Sequence, residues 1–391
     1  MNDFSRRVGT LSEAKRLLLE LRLKEKSRDR RQSPQALTIN RADRSGSLPL
    51  SFAQQRLWLI HQLDPTSCAY NIQATVRMEG PLNASLLEQS LNRVISRHES
   101  LRTSFSLAKG QLLQVIAGPE PVNISAIDLS TMPEAEREGY ARRIASEQAR
   151  HAFDLAEAPL LRASLIKLAE QDHIFSLTMH HIISDGWSMG ILLREMVSFY
   201  NAYSSRQSPP VANLPIQYVD YAQWQRQWMR GEALAAELDY WKKKLEGAAT
   251  TLELPTSKPR PPFQSFKGRV ESFTLSQAFA DKLRAFCRTE GVTLFMLLLA
   301  AFKLLLYRYT MREEIVVGSP VANRNRPGVE QLIGLFINTI ILRTDLSGDP
   351  TFRDLLRRVR EVVHEATAHQ DLPFEKLVEE LQPEREMSRN L

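Results

Sequence analysis

Two proline-rich segments, "SSRQSPPVANLP" (204–215) and "LELPTSKPRPPFQSF" (252–266), interrupt the middle of the chain. Proline lacks an amide hydrogen and fixes φ, so neither a helix interior nor a central strand runs through such stretches. At 391 residues the chain is also too long for one small core. The patterns on either side mix strands and helices in the same rough order, without a residue-level repeat. The economical reading is α+β: two lobes, residues 48–215 and 216–391, joined by a Pro-rich crossing and preceded by a separate segment, 1–47.

The net charge of +6 suggests nucleic acid until it is located. Residues 1–47 hold 12 Lys/Arg against 6 Asp/Glu, which accounts for the whole excess, so the body is balanced and no nucleic-acid partner is expected. Within that segment "LSEAKRLLLELRLKEKSRDRRQ" places Leu11, Leu18, Leu21 and Leu23 among charges, the pattern of an amphipathic helix. It reads either as a solvated lead-in or as a helix that touches an upstream protein. The longest apolar run, "LFMLLLAAF" (294–302), is too short to cross a bilayer, and the N-terminus lacks a signal-peptide core. Cys68 and Cys287 match no redox or metal spacing. No membrane partner and a cytoplasmic setting are the expectations.

"YNIQATVRME" alternates Ile72, Ala74, Val76 and Met78 against polar neighbours, the period of a half-buried strand. Asn83 is placed to cap a helix with Leu87, Leu91, Val94 and Ile95 on one face. Two short strands about Lys109-Gly110, a helix near 133–150 and strands at 161–167 and 173–180 follow. Beyond the crossing, "YVDYAQWQRQW" reads as a helix, "GRVESFTLS" as a strand, and residues 279–310 as two helices broken at Gly291. "EEIVVGSPVANR" and "LIGLFINTIILRTDL" are β-branched strand candidates, and a last helix starts near Thr351.

The chemistry-bearing stretch is "MHHIISDGWS" (179–188). Neighbouring side chains in a strand point to opposite faces, so His180 and His181 cannot easily grip one ion, and no supporting ligand cluster is evident. A metal site is therefore not expected. His181 would share a face with Phe175, Leu177 and Met179, and His180 the other with Ile174 and Thr178. One histidine can anchor backbone while the other, near its normal pKa, orients or deprotonates an attacking amine or hydroxyl. Asp185 either caps the helix beginning near Trp187 or, buried against an Arg, clamps the loop. Gly186 permits the sharp turn and lets a substrate approach the backbone. Packing and catalysis remain evenly matched from these residues alone.

Further segments change that balance. "SFAQQRLWLIHQL" (51–63), "RHESLRTSF" (97–105), "MHHIISDGWSMG" (179–190), "YVDYAQWQ" (218–225), "IGLFINT" (333–339) and "HQDLPFEKLVEEL" (369–381) occur in one order. Together they resemble the condensation domain of non-ribosomal peptide synthetases over residues 48–391, in wording closest to the subgroup that takes an L-configured donor. The resemblance implies an α+β, two-layer sandwich built as two chloramphenicol-acetyltransferase-like lobes in a V around a central tunnel. It implies peptide-bond formation, with an acceptor amine attacking a donor thioester. Both substrates arrive on phosphopantetheine arms of upstream and downstream peptidyl carrier domains, and an adenylation domain follows. The domain itself would bind no cofactor.

By the same resemblance His181 is catalytic, as base or as positioner of the amine, and His180 supports it. Asp185 is held by an Arg of "RHESLR", Arg97 or Arg102, and Gly186 lines the tunnel. Asn338, Trp187 and Ser188 face the tunnel, whereas Trp224 packs. The sequence ends at "PEREMSRNL", where the family continues into further strands of the second lobe, which implies an incomplete lobe.

The residues agree with direct acyl transfer. Ser319 in "VVGSPV" lacks the Gly-x-Ser-x-Gly elbow, and no phosphate-binding Gly-Lys loop offers ATP chemistry. Orientation of two tethered reactants supplies much of the acceleration a ready-made thioester needs. Epimerising relatives carry an acidic "EGHGRE"-like segment that is missing here, and cyclising relatives replace the histidines by aspartates. The alternatives kept open are another HHxxxDG acyltransferase and a non-catalytic recruitment module of the same fold, whose histidine motif is typically degraded.

Overall fold

The computed structural model describes residues 38–209, 213–256, 258–259, 261 and 268–382. The helix expected within 11–32 and the final "PEREMSRNL", after Gln382, lie outside the described residues. Helix α1 (Phe52–Leu63) opens on a capping box in which Ser51 and Gln54 bond each other's backbone. Strand β1 (Asn71–Glu79) leads to α2 (Ala84–Arg97), capped by Asn83 as its spacing predicts. The hairpin of β2 (Thr103–Ala108) and β3 (Gln111–Ile116) turns at Lys109 and Gly110, both with positive φ. Then come β4 (Ile124–Asp128), α3 (Glu134–Ala149), β5 (Leu161–Ala169), β6 (Asp172–His180) and α4 (Gly186–Ser204).

Strands β1, β6, β5 and β4 form one sheet in that order, antiparallel except for the parallel β4–β5 pair. The β1–β6 register runs from Asn71 opposite His180 to Glu79 opposite Asp172, so the histidine pair emerges at the sheet's end. Leu177 and Met179 share the first apolar core with Leu91, Val94 and Ile95 of α2 and with Leu192 and Met196 of α4.

Helices α5 (Tyr218–Trp228) and α6 (Gly231–Leu245) precede α7 (Gln277–Glu290) and α8 (Leu294–Thr310), which are separated at Gly291 in the left-handed region. Strands β7 (Glu314–Val321) and β8 (Asn338–Asp345) pair antiparallel, and α9 (Phe352–Ala368) and α10 (Phe374–Leu381) complete the described fold. Met296 and Ala300 of α8, Ile315, Leu342 and Val359 centre a second core. Each of these two clusters joins helices to strands. Among the described residues no single helix is long and apolar enough to cross a membrane.

Two expectations differ. Residues 268–276 form no strand, and Val270 and Phe273 are 87% and 86% exposed. Alternation alone does not make a strand, whose backbone groups need a paired neighbour. "IGLFI" (333–337) is likewise irregular, because its amides bond side chains of the first lobe rather than a strand. Contacts also join residues on either side of positions 47/48 and 215/216. Ala42 N–H and Arg44 both bond the Asp220 carboxylate, 2.8 and 2.6 Å away, and Tyr218, Tyr221, Leu332 and Phe336 belong to the first core.

Lys303 pins α8 to the β7–β8 hairpin. Its fully buried ammonium donates to Ile315 O (3.1 Å), Leu342 O (2.5 Å) and Thr344 Oγ1 (2.8 Å). Burial lowers its pKa to about 7 from 10.5. Between those values the unfolded chain holds the extra proton, so this group makes stability rise with pH, by at most about 1.4 kcal/mol per unit. Denaturant titrations at pH 7 and 9 are expected to show that gain, and Lys303→Met to flatten it.

Candidate active site

Strand β6 ends at His180, whose Nδ1 accepts the Ile182 N–H at 3.2 Å; the proton of the neutral ring therefore sits on Nε2. The ring is 3% exposed and lies edge-on to His61 and Phe153, with centroids 6.3 Å away in each case. Burial, followed by the nearby charges of His61 and His181, drives its pKa to about 3. That environment suits a neutral, supporting ring. Across His61 and Phe153 lies a cavity of about 550 Å³, also walled by Trp58, Phe105 and Leu155.

His181 is the first residue past strand β6. Its N–H extends the ladder by one bond, to Tyr70 O at 2.8 Å, and the chain then bends into a single 3₁₀ turn, His181–Ile183. In the bend, His181 Nδ1 lies 2.7 Å from Ser184 O. A carbonyl only accepts, so Nδ1 carries the hydrogen and Nε2 presents its lone pair. Nε2 has no hydrogen-bond partner among the described residues, and the residue is half-buried.

Asp185, 2% exposed, caps α4 through Ser188 N–H (2.8 Å to Oδ1) and accepts Phe336 N–H (3.0 Å to Oδ2). Its cationic partner is Arg324, with Nη2 3.2 and 3.4 Å from the two oxygens, rather than Arg97 or Arg102. Both expected arginines are occupied at the α2–β2 corner. Arg97 Nε bonds Glu195 at 3.1 Å, and Arg102 donates to Ala117 O. Arg324 also donates to Val329 O, Leu332 O and Ser188 Oγ, each at 2.7 Å, and its guanidinium lies 4.1 Å from the Phe336 ring centre. Clamp and helix cap, the two roles open to Asp185, are thus filled together.

Ser188 and Asn338, expected to face the tunnel, are buried and committed. Ser188 Oγ bonds Gly334 O (3.0 Å) and Gly334 N (3.1 Å) as well as Arg324. Asn338 donates to Gln370 O and Leu372 O and accepts Phe374 N–H, clasping "HQDLPF". Trp187 is 51% exposed and anchored by Nε1 to Glu330 O at 3.1 Å. Gly186 is exposed, its φ is not positive, and an added Cβ would meet nothing within 4 Å. The turn itself thus does not demand glycine. Trp224 packs as expected, stacked on Trp228 at 5.3 Å.

Arg324 lies in none of the quoted motifs; Tyr218 and Gly334 lie in "YVDYAQWQ" and "IGLFINT", but residue type alone does not mark them as site-building residues. A Cβ at Gly334 would lie 1.9 Å from Tyr218 Cδ2, and Tyr218 OH donates to Leu335 O at 2.7 Å and lies 2.8 Å from Ser51 Oγ. The contact brings the 332–336 loop onto the sheet end that carries the histidines. Among the described residues no three His, Cys, Asp or Glu cluster as metal ligands would.

Comparison with known proteins fits this arrangement. The condensation-domain family model matches residues 44–391, and the chain belongs to that family. It is 54% identical over 345 residues to one of the linear gramicidin synthase proteins of Brevibacillus parabrevis, covering 88% of this chain and 7% of that protein. Phosphinothricin tripeptide synthetase PhsC of Streptomyces viridochromogenes is 37% identical, covering 100% of this chain and 36% of the relative. The chain thus spans only a small part of such relatives. Among solved structures, the X-domain from teicoplanin biosynthesis superposes with a TM-score of 0.79 at 29% identity, covering 91% and 77% of the two chains. The first condensation domain of the CDA synthetase gives 0.75 at 22% identity, covering 86% and 80%. The fold is the chloramphenicol-acetyltransferase-like α+β fold that the sequence resemblance implies.

Asp185→Ala strands a buried guanidinium and two amides and removes a helix cap. A loss of about 3–5 kcal/mol is expected in chemical denaturation. For His180 the folded pKa near 3 lies below the unfolded value of 6.5. Its contribution is therefore intact above 6.5 and declines as pH falls toward 3, at up to roughly 1.4 kcal/mol per unit. Denaturation midpoints at pH 7 and 5 are expected to shift in that direction.

Proposed function

We propose that the chain forms peptide bonds by direct aminolysis in non-ribosomal peptide synthesis. The acceptor amine nitrogen attacks the carbonyl carbon of a donor acyl or peptidyl thioester, the C–S bond breaks, and the amide stays on the acceptor. A proton leaves the amine and one reaches the departing thiolate; His181 Nε2 is the group that takes and returns it, or that orients the amine lone pair. The Nδ1–H to Ser184 O bond carries this reading, because it fixes the tautomer that exposes Nε2. Membership of the condensation-domain family supports the same chemistry. No enzyme nucleophile is required, since the thioester is already activated.

Both substrates arrive on phosphopantetheine arms, the donor from an upstream peptidyl carrier and the acceptor from a downstream one. An adenylation domain loads the latter, in the cytoplasm. The arms meet in a tunnel between two lobes arranged as a V, whose hearts are the two apolar cores. The open space over Gly186 suits the approach of an arm to the backbone. Asp185 and Arg324 hold the loop rather than touch substrate.

A second reading has one observation behind it. The X-domain in complex with OxyB superposes on this chain with a TM-score of 0.80 at 29% identity. That likeness allows partner recruitment without chemistry. Loaded donor and acceptor carriers separate the two: condensation predicts amide product by mass spectrometry, recruitment predicts carrier or protein binding without product. His181→Ala is expected to lower the rate by about 100-fold or more, the usual scale of a lost general base, with an unchanged melting temperature. Unaltered yield from that variant would reject the role.

A further inference from the structure

Beside the histidine motif lies another buried histidine, to which the proposed chemistry assigns no task. His98, from "RHESLR", is 1% exposed between α2, α4 and the loop arriving from β7. Its Nε2 lies 2.9 Å from Glu195 Oε2 on α4, and its Nδ1 accepts the backbone N–H of Ile333 at 3.4 Å. A carboxylate only accepts, so Nε2 holds the single hydrogen of the neutral ring and Nδ1 is free to accept. The two contacts therefore select one tautomer between them. Burial lowers the pKa; the Glu195 bond and charge oppose this, and the charges of Arg97 and Arg324 reinforce it, keeping the ring neutral near pH 7. Arg97 Nε secures the other Glu195 oxygen at 3.1 Å, so the far side of the ring is itself fixed.

Ile333 opens the segment that reaches the site. One residue on, Gly334 bonds Ser188 Oγ; two residues further, Phe336 gives its N–H to Asp185 Oδ2 at 3.0 Å. Ser100, two positions after His98, donates its hydroxyl to Ile333 O at 2.7 Å. Both backbone groups of Ile333 are thus held by the "RHESLR" corner. We propose that His98 is a positioning residue for condensation, bracing the 332–336 loop through Ile333 so that Phe336 and Gly334 meet Asp185 and Ser188 at the start of α4. The inference rests on the condensation reading and adds a residue that acts without contacting substrate.

Two substitutions divide the roles of the ring. In His98→Asn the amide oxygen occupies the place of Nδ1 and still accepts Ile333 N–H, while the Glu195 contact is lost. In His98→Gln the amide nitrogen reaches the place of Nε2 and keeps Glu195, while Ile333 N–H loses its acceptor. Amide hydrogen exchange of residues 332–337 in the whole chain, and condensation kinetics with loaded carriers, read the result. His98→Gln is expected to speed exchange across 333–336 about 10-fold and to lower kcat about 10-fold at unchanged KM, and His98→Asn to stay within about threefold of the parent in both. A Gln variant with parental exchange and rate overturns the proposal, as does an Asn variant that loses as much as Gln. Should the parent chain yield no amide, the condensation reading fails by itself, and the exchange comparison still judges the hold of His98 on the loop.

Discussion

A carboxylate taken out of water must be met by a cation and by hydrogen-bond donors, or it neutralises or unfolds its surroundings. Asp185 is such a group, and the fold converges on satisfying it. Its own helix supplies Ser188 N–H, the 332–336 loop supplies Phe336 N–H, and Arg324 supplies charge from beyond β7. Each donor comes from a different stretch of chain. Their meeting point sets where α4 begins, and the bend preceding α4 sets where His181 points. The geometry around the imidazole is thus a by-product of electrostatic necessity one short turn further along the chain.

The adjacent histidines show how one residue step changes chemistry. His180 is the last strand residue, and its ring lies edge-on to His61 and Phe153, where burial leaves it neutral. His181 lies just past the ladder, and the 3₁₀ turn gives it a carbonyl partner at Ser184 and an open second nitrogen. Strand alternation predicts that the two rings differ in environment, and they do. Regular pairing ends before His181, and the turn that follows rather than a further strand partner supplies its side-chain bond.

Much of the first lobe is legible in the sequence because its signals are local. Asn83 caps α2 and Lys109-Gly110 turns the hairpin where the sequence says they should. Asp185 is readable as a cap for the same reason. Its ion-pair partner is not, since Arg324 is 139 residues away and nothing in the spacing distinguishes it from Arg97 or Arg102. Ser188 and Asn338 look like polar groups available to a ligand until their backbone partners are counted. The strand expected at 268–276 fails for a related reason: pairing is a property of two segments, and the pattern reports one.

The separation between Asp185 and Arg324 also carries a consequence for synthesis. A ribosome delivers the histidine motif well before the arginine that stabilises it, so a nascent chain extended only through the first lobe holds Asp185 without its counter-ion. The helix start and the imidazole beside it acquire their final arrangement only after the later segment emerges and folds back across the earlier one. Assembly of the site is thereby deferred until translation has passed the crossing between lobes, and half-made chains lack the arrangement on which any chemistry at the imidazole would depend.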